Sequence, residues 1–244
     1  MLSDMDGSAK WQLKATLLDS KGSVQDVKFA PRHLGLKLAT CSTDGIVRIY
    51  EAIDVTNLSH WSLMEEFEAH KGAAACAINA VAWNPSPFEK PMLVVGTDDN
   101  NVKIWEYNEL QRRWVTIETL QGHKGPIHDV DWAPNVGRSY YLIATASKDC
   151  TVRIWQLESK ASEAKSSGEI KAQTASSSVL SVVNVWPLEA HKSEVWRVEW
   201  NMTGTVLASS GDDGTVHLWK SLTVPSGNQL TQQWVTLAAI NTSS

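Results

Sequence analysis

Residues 207–219 read Leu207-Ala208-Ser209-Ser210-Gly211-Asp212-Asp213-Gly214-Thr215-Val216-His217-Leu218-Trp219. A small apolar run enters Asp-Gly, and an alternating run leaves it and ends on Trp. Asp-Gly between two β-like runs is a strong hairpin signal. It predicts a two-residue type I′ turn with both central residues at positive φ.

The stretch occurs three more times. Leu38–Tyr50 reads LATCSTDGIVRIY, Leu93–Trp105 reads LVVGTDDNNVKIW and Ile143–Trp155 reads IATASKDCTVRIW. In every copy an Asp stands six residues before the aromatic: Asp44 and Tyr50, Asp99 and Trp105, Asp149 and Trp155, Asp213 and Trp219. Upstream of each hairpin lies another strand-like run ending in an aromatic residue: Val27-Lys28-Phe29, Val81-Ala82-Trp83, Val130-Asp131-Trp132 and Val198-Glu199-Trp200. Before each of these comes a turn, which begins with Ser20, His70, His123 or His191. A fourth run, opened by Trp61 or Trp114 in the first two units, completes each repeat.

This order predicts an all-β chain of four complete four-stranded units, at about residues 23–68, 77–120, 126–188 and 194–239. An orphan strand is expected over 10–18, after a flexible tail at 1–9. The hairpin aromatics are 55, 50 and 64 residues apart. A bare four-stranded unit needs only about 40–45 residues. Most of the excess in the third unit is the polar tract 158–179, read as a disordered surface loop.

Composition narrows the class. Of the 244 residues 43% are apolar, enough for a packed core, and the net charge is −5 with no Lys/Arg run, so no nucleic-acid footprint is expected. The three Cys are far apart, without a CxxC pair, which fits a reducing compartment. No apolar run approaches the length of a spanning helix, and the acidic start lacks the pattern of a signal peptide. A soluble intracellular protein is expected.

Each repeat offers His, Ser or Thr, and Asp, the ingredients of a nucleophilic triad; in the third they are His123, Thr145 or Ser147, and Asp149. Catalysis needs one such set in a cleft, whereas here it recurs and degrades: Ser20 replaces the turn His and Tyr50 the Trp in the first copy. The expected role of His70, His123 and His191, with the four Asp and Tyr50, Trp105, Trp155 and Trp219, is therefore structural: a hydrogen-bonded chain pinning each turn onto its hairpin. The pairs Asp98-Asp99 and Asp212-Asp213 suggest metal binding only weakly, because no third ligand recurs at a useful spacing. No catalytic residue, cofactor or metal is expected. Trp196 and Arg197 have the hot-spot chemistry of an interface and stand at the turn-proximal edge of their strand, where the other units carry Asp26, Ala80 and Asp129.

The turn His, strand hydroxyl, hairpin Asp and terminal Trp resemble WD repeats, whose fold is the β-propeller. More narrowly, Val24–Pro31, Leu38–Glu51, Asn57–Leu63, Trp132–Ser139 and Val195–Asn201 are similar to the Sec-thirteen-homologue nucleoporins of the nuclear pore Y-complex. That resemblance implies a non-catalytic scaffold of six blades that accepts further strands from a partner nucleoporin. It also implies a second role in an amino-acid-sensing (TORC-one regulatory) complex at the lysosome or vacuole. Measured against that pattern about two N-terminal blades are lacking, so an open or incomplete ring is expected. A generic WD-repeat adaptor or coat subunit, and a His-Asp-Ser hydrolase, are the other readings the residues allow.

Overall fold

The computed structural model describes residues 11–70, 76–160, 179–226 and 229–241. Sixteen strands form four antiparallel sheets. The first holds β1 (Val24–Phe29), β2 (Lys37–Ser42), β3 (Ile46–Ala52) and β4 (Trp61–Glu68). The second holds β5 (Ile78–Trp83), β6 (Met92–Thr97), β7 (Val102–Asn108) and β8 (Arg113–Leu120). The third holds β9 (Ile127–Trp132), β10 (Tyr141–Ser147), β11 (Val152–Lys160) and β12 (Val179–Leu188). The fourth holds β13 (Val195–Trp200), β14 (Val206–Gly211), β15 (Thr215–Ser226) and β16 (Gln229–Asn241). Each sheet pairs its strands in chain order, and among the described residues no strand is exchanged between sheets and no hydrogen-bonded ladder closes the ring. Among the described residues no helix is long and apolar enough to cross a membrane.

The blades share their irregularities as well as their strands. The first and second strands slip register after Val24, Ile78, Ile127 and Val195. The third and fourth slip again just before Tyr50, Trp105 and Trp219, and in the third blade two residues later, between Gln156 and Leu157. A bulge adds local twist, and each blade carries two.

The hairpin turns differ from the type I′ expectation. The first and fourth have three residues between their strands, Thr43-Asp44-Gly45 and Asp212-Asp213-Gly214, the second and third have four, and one residue of each takes positive φ: Gly45, Asn100, Cys150 and Gly214. Gly45 and Gly214 donate their N–H to the carbonyls of Ser42 and Gly211, closing a four-residue turn. The Asp stays in ordinary backbone space, where its carboxylate accepts the N–H two residues on, from Ile46, Asn101, Thr151 or Thr215. Side-chain capping by Asp favours this longer loop over the two-residue one.

The core lies between blades. Three apolar layers join the first blade to the second, the second to the third and the third to the fourth. The innermost strand of each blade packs on that of the next: β1 on β5, β5 on β9, β9 on β13. Ile78, Val81 and Trp83 of β5 are buried, as are Ile127, Val130 and Trp132 of β9 and Val195, Val198 and Trp200 of β13. Their counterparts in β1 are not: Val24, Val27 and Phe29 are 53%, 52% and 65% exposed. The first blade thus presents the face that every later blade covers with its predecessor.

Residues 11–18, where an orphan strand is expected, join no ladder; Trp11, Leu13 and Leu18 stand exposed. A strand needs a neighbour to satisfy its backbone groups, and none of the described strands pairs with these residues. The tail 1–9 and residues 161–178 of the expected loop lie outside the described residues. That loop is shorter than its expected bounds, because residues 158–160 end β11 and Val179 begins β12, paired with one another across the sheet.

Candidate functional site

The third blade carries the complete turn network. His123 Nδ1 donates to Asp149 Oδ2 at 2.9 Å, and its Nε2 meets Thr145 Oγ1 at 2.7 Å. Thr145 Oγ1 also accepts the Trp155 indole N–H at 3.0 Å. Asp149 further accepts the Lys124 and Thr151 backbone N–H groups, at 2.9 and 3.0 Å. One carboxylate thereby ties the turn before β9 to the hairpin between β10 and β11. Of the two candidate hydroxyls only Thr145 belongs to this chain; Ser147 donates instead to the carbonyls of Gly125 and Pro126. Thr145 and Ser147 are both fully buried. Both hydroxyls are therefore shut off from solvent in this structure.

The fourth blade repeats the arrangement with His191, Asp213, Ser209 and Trp219, at 3.0, 2.8 and 2.9 Å along the chain of bonds. The second blade keeps only part of it. His70 reaches Asp99 at 3.0 Å, but Val95 stands where Thr145 and Ser209 stand, and the buried Trp105 indole N–H has no partner. In the first blade there is no turn His. Arg48, 2% exposed, pairs with Asp44 at 2.8 Å, and Asp44 also accepts the Lys21 N–H at 3.1 Å. Tyr50 is buried in the Trp position but takes no part in these bonds. The Arg48 substitution was legible only in hindsight, since Arg153 and Lys103 occupy the same register without replacing a His.

Electrostatics follow from this geometry. Burial alone would raise the four hairpin carboxyls, but the donors around them outweigh it and hold Asp44, Asp99, Asp149 and Asp213 below the usual carboxylate range. Desolvation lowers His123 despite Asp149 beside it. Burial, reinforced by His191, likewise lowers His217.

These recurring units match the sequence profile of the "WD domain, G-beta repeat" family over residues 11–51, 61–106, 114–156 and 176–220. The chain belongs to the WD-repeat family. Within it, the WD-repeat chain is 48% identical over 223 residues to nucleoporin SEH1-A of Xenopus laevis and to nucleoporin SEH1 of Homo sapiens. It is 48% identical over 224 residues to nucleoporin SEH1 of Danio rerio. Each match covers 88% of this chain but only 57–58% of the relative, so the chain spans somewhat over half the length of the relatives it matches.

Two further surfaces of this WD-repeat arc carry polar chemistry. Its inner strands border a cleft of about 510 Å³ that holds Lys28, Asp129, Asp131, Arg197 and Glu199. Carboxylates here stitch blade to blade: Asp26 accepts the Val81 N–H, Asp129 the Val198 N–H and Asp131 the Trp200 N–H, at 3.1, 3.0 and 2.7 Å. Burial pushes Asp129 and Asp131 up to about 6, against the N–H each accepts and the nearby Arg197 or Lys28. Sequence reasoning missed this inner set, although Asp26 and Asp129 share one register three residues before the strand aromatic.

Toward the other end of the inner strands stands Trp196, the first of the expected contact pair, with Arg197 between it and the cleft. Trp196 is 43% exposed, stacks on His128 at 4.0 Å and donates its indole N–H to Asp212 at 2.6 Å. Arg197 Nη1 lies 3.9 Å from Asp129. Both side chains thus bridge the third and fourth blades while remaining partly open to solvent.

Proposed function

We propose that this chain is a non-catalytic scaffold subunit of the nuclear pore, joined to other nucleoporins of the Y-complex by strand or blade addition. The observation that carries this reading is the identity of 48% over 223 residues to nucleoporins of the SEH1 type, through loops as well as strands. The uncovered face of Val24, Val27 and Phe29 supports the manner of joining, since a sheet placed there reproduces the layer between every other pair of blades. Trp196 supplies a second contact toward the other end of the inner strands, with Arg197 between it and the polar cleft. The location that follows is the nuclear envelope. The amino-acid-sensing complex at the lysosomal or vacuolar surface would draw on the same surfaces.

Affinity capture of the tagged chain from cells, read by mass spectrometry, tests the reading. Enrichment of pore-scaffold nucleoporins is expected. Enrichment of coat or ligase subunits in their place, or of no scaffold partner, would overturn it.

A further inference from the structure

We infer that the fourth blade holds a zinc site made by His191, Asp213 and His217. A ring nitrogen of each histidine and a carboxylate oxygen lie within 4.8 Å of one another. His217 is 8% exposed, and its Nδ1 is buried with no hydrogen-bond partner. Its ring stands edge-on to that of His191, with centroids 4.5 Å apart. A buried imidazole nitrogen left unpaired costs stability, and a cation shared with the neighbouring donors removes that cost.

Comparison with the other blades isolates what is special here. The third blade has the same His, Asp, hydroxyl and Trp, but Arg153 stands where the fourth has His217. Arg48 and Lys103 hold that register in the first two blades. Three blades thus place a permanent cation beside the hairpin, and the fourth places a metal ligand. A second change accompanies it: Gly211 replaces Ser42, Thr97 and Ser147. A Cβ on Gly211 would come within 3.1 Å of His191 Nδ1, so the glycine leaves that nitrogen open on one side.

Two imidazoles and one carboxylate suit Zn²⁺, whereas Ca²⁺ and Mg²⁺ call for oxygen donors. Tetrahedral zinc with bonds of about 2.0–2.1 Å sets its ligands about 3.3 Å apart. His191 Nδ1 and Asp213 Oδ2 already lie 3.0 Å apart, so rotation of His217 closes the set. Neutral His191 then carries its one proton on Nε2 and donates it to Ser209 Oγ, now 2.8 Å away, and leaves Nδ1 to the metal. Water takes the fourth position.

The test uses the whole chain, stripped with chelator and returned to Zn²⁺, with metal content measured after gel filtration. Co²⁺ substitution reports the geometry by its visible spectrum. Wild type is expected to retain about one equivalent and to melt roughly 5–10 °C higher at free zinc about a hundred times the dissociation constant. His217→Arg, which copies the third blade, is expected to lose both effects; His217→Gln serves if that variant misfolds by circular dichroism. Among the described residues His70, Cys76 and Asp99 form a second cluster within 4.8 Å, so Cys76→Ser is the control and should bind as wild type does. No retained zinc in wild type, or equal retention by the folded His217 variant, overturns the inference.

Discussion

Replacing Asp149 with Asn probes the turn network at its centre. Asp149 Oδ2 accepts from His123 and from the Lys124 N–H, while Oδ1 accepts from the Thr151 N–H and hydroxyl. Asparagine keeps one acceptor oxygen and turns an amide N–H₂ toward the other pair of donors. Two bonds to a charged acceptor are lost, each worth about 1.5–3 kcal/mol at a buried site. The Asp149 side chain is 9% exposed, so solvent recovers little of this, and a loss of about 3 kcal/mol is expected. For a domain of this size that lowers Tm by roughly 6–12 °C.

The pH dependence fixes the mechanism of that loss. The folded carboxyl of Asp149 lies below its unfolded value of 3.8. Its contribution is therefore complete above that value and disappears as the pH falls through the folded one. Melting followed by circular dichroism should show the wide gap at pH 7 and a gap that narrows steadily as the pH falls below about 4. A gap that is absent at pH 7, or that does not change with pH, would refute the argument.

Two further substitutions test the same reasoning elsewhere. Val95→Thr places a hydroxyl in the second blade where Thr145 and Ser209 serve the others, next to the unpaired Trp105 indole; it should leave stability unchanged or raise it by about 1 kcal/mol, whereas an ordinary buried Val→Thr change lowers Tm. Asp129→Asn keeps an acceptor for the Val198 N–H and removes a buried charge. Because the Asp129 carboxyl is raised to about 6, its ionisation opposes folding above that pH, so chemical denaturation should find the variant more stable by about 2 kcal/mol at pH 7.5 and equal to wild type below pH 4.

Much of this architecture was readable because each repeat carries its own ruler. The fixed Asp-to-aromatic interval located all four hairpins, and the bands of alternating apolar residues located the strands around them. What escaped has physical causes. Turn type depended on where the Asp side chain is aimed, and Asp-Gly in sequence does not reveal that a third residue joins the loop. Asn100 and Cys150 take positive φ in positions that Gly45 and Gly214 fill elsewhere, so the turn tolerates them despite their side chains. Arg48 substitutes for a histidine that lies 26 to 33 residues upstream of the same register in the other blades, a replacement visible only once Asp44 and Arg48 meet in space. His217 was hidden for a similar reason: a single change from Arg or Lys looks conservative until its nitrogen is seen buried beside His191.

The central claim is that the first blade offers a bare face to a further β-sheet. Hydrogen exchange on the purified chain measures it directly, strand by strand. The amides of Val24–Phe29 should exchange much faster than those of Ile78–Trp83, Ile127–Trp132 and Val195–Trp200, and should become protected when a captured nucleoporin partner is bound. Equal protection of all four inner strands in the chain alone, or no gain at Val24–Phe29 on partner binding, would contradict the account.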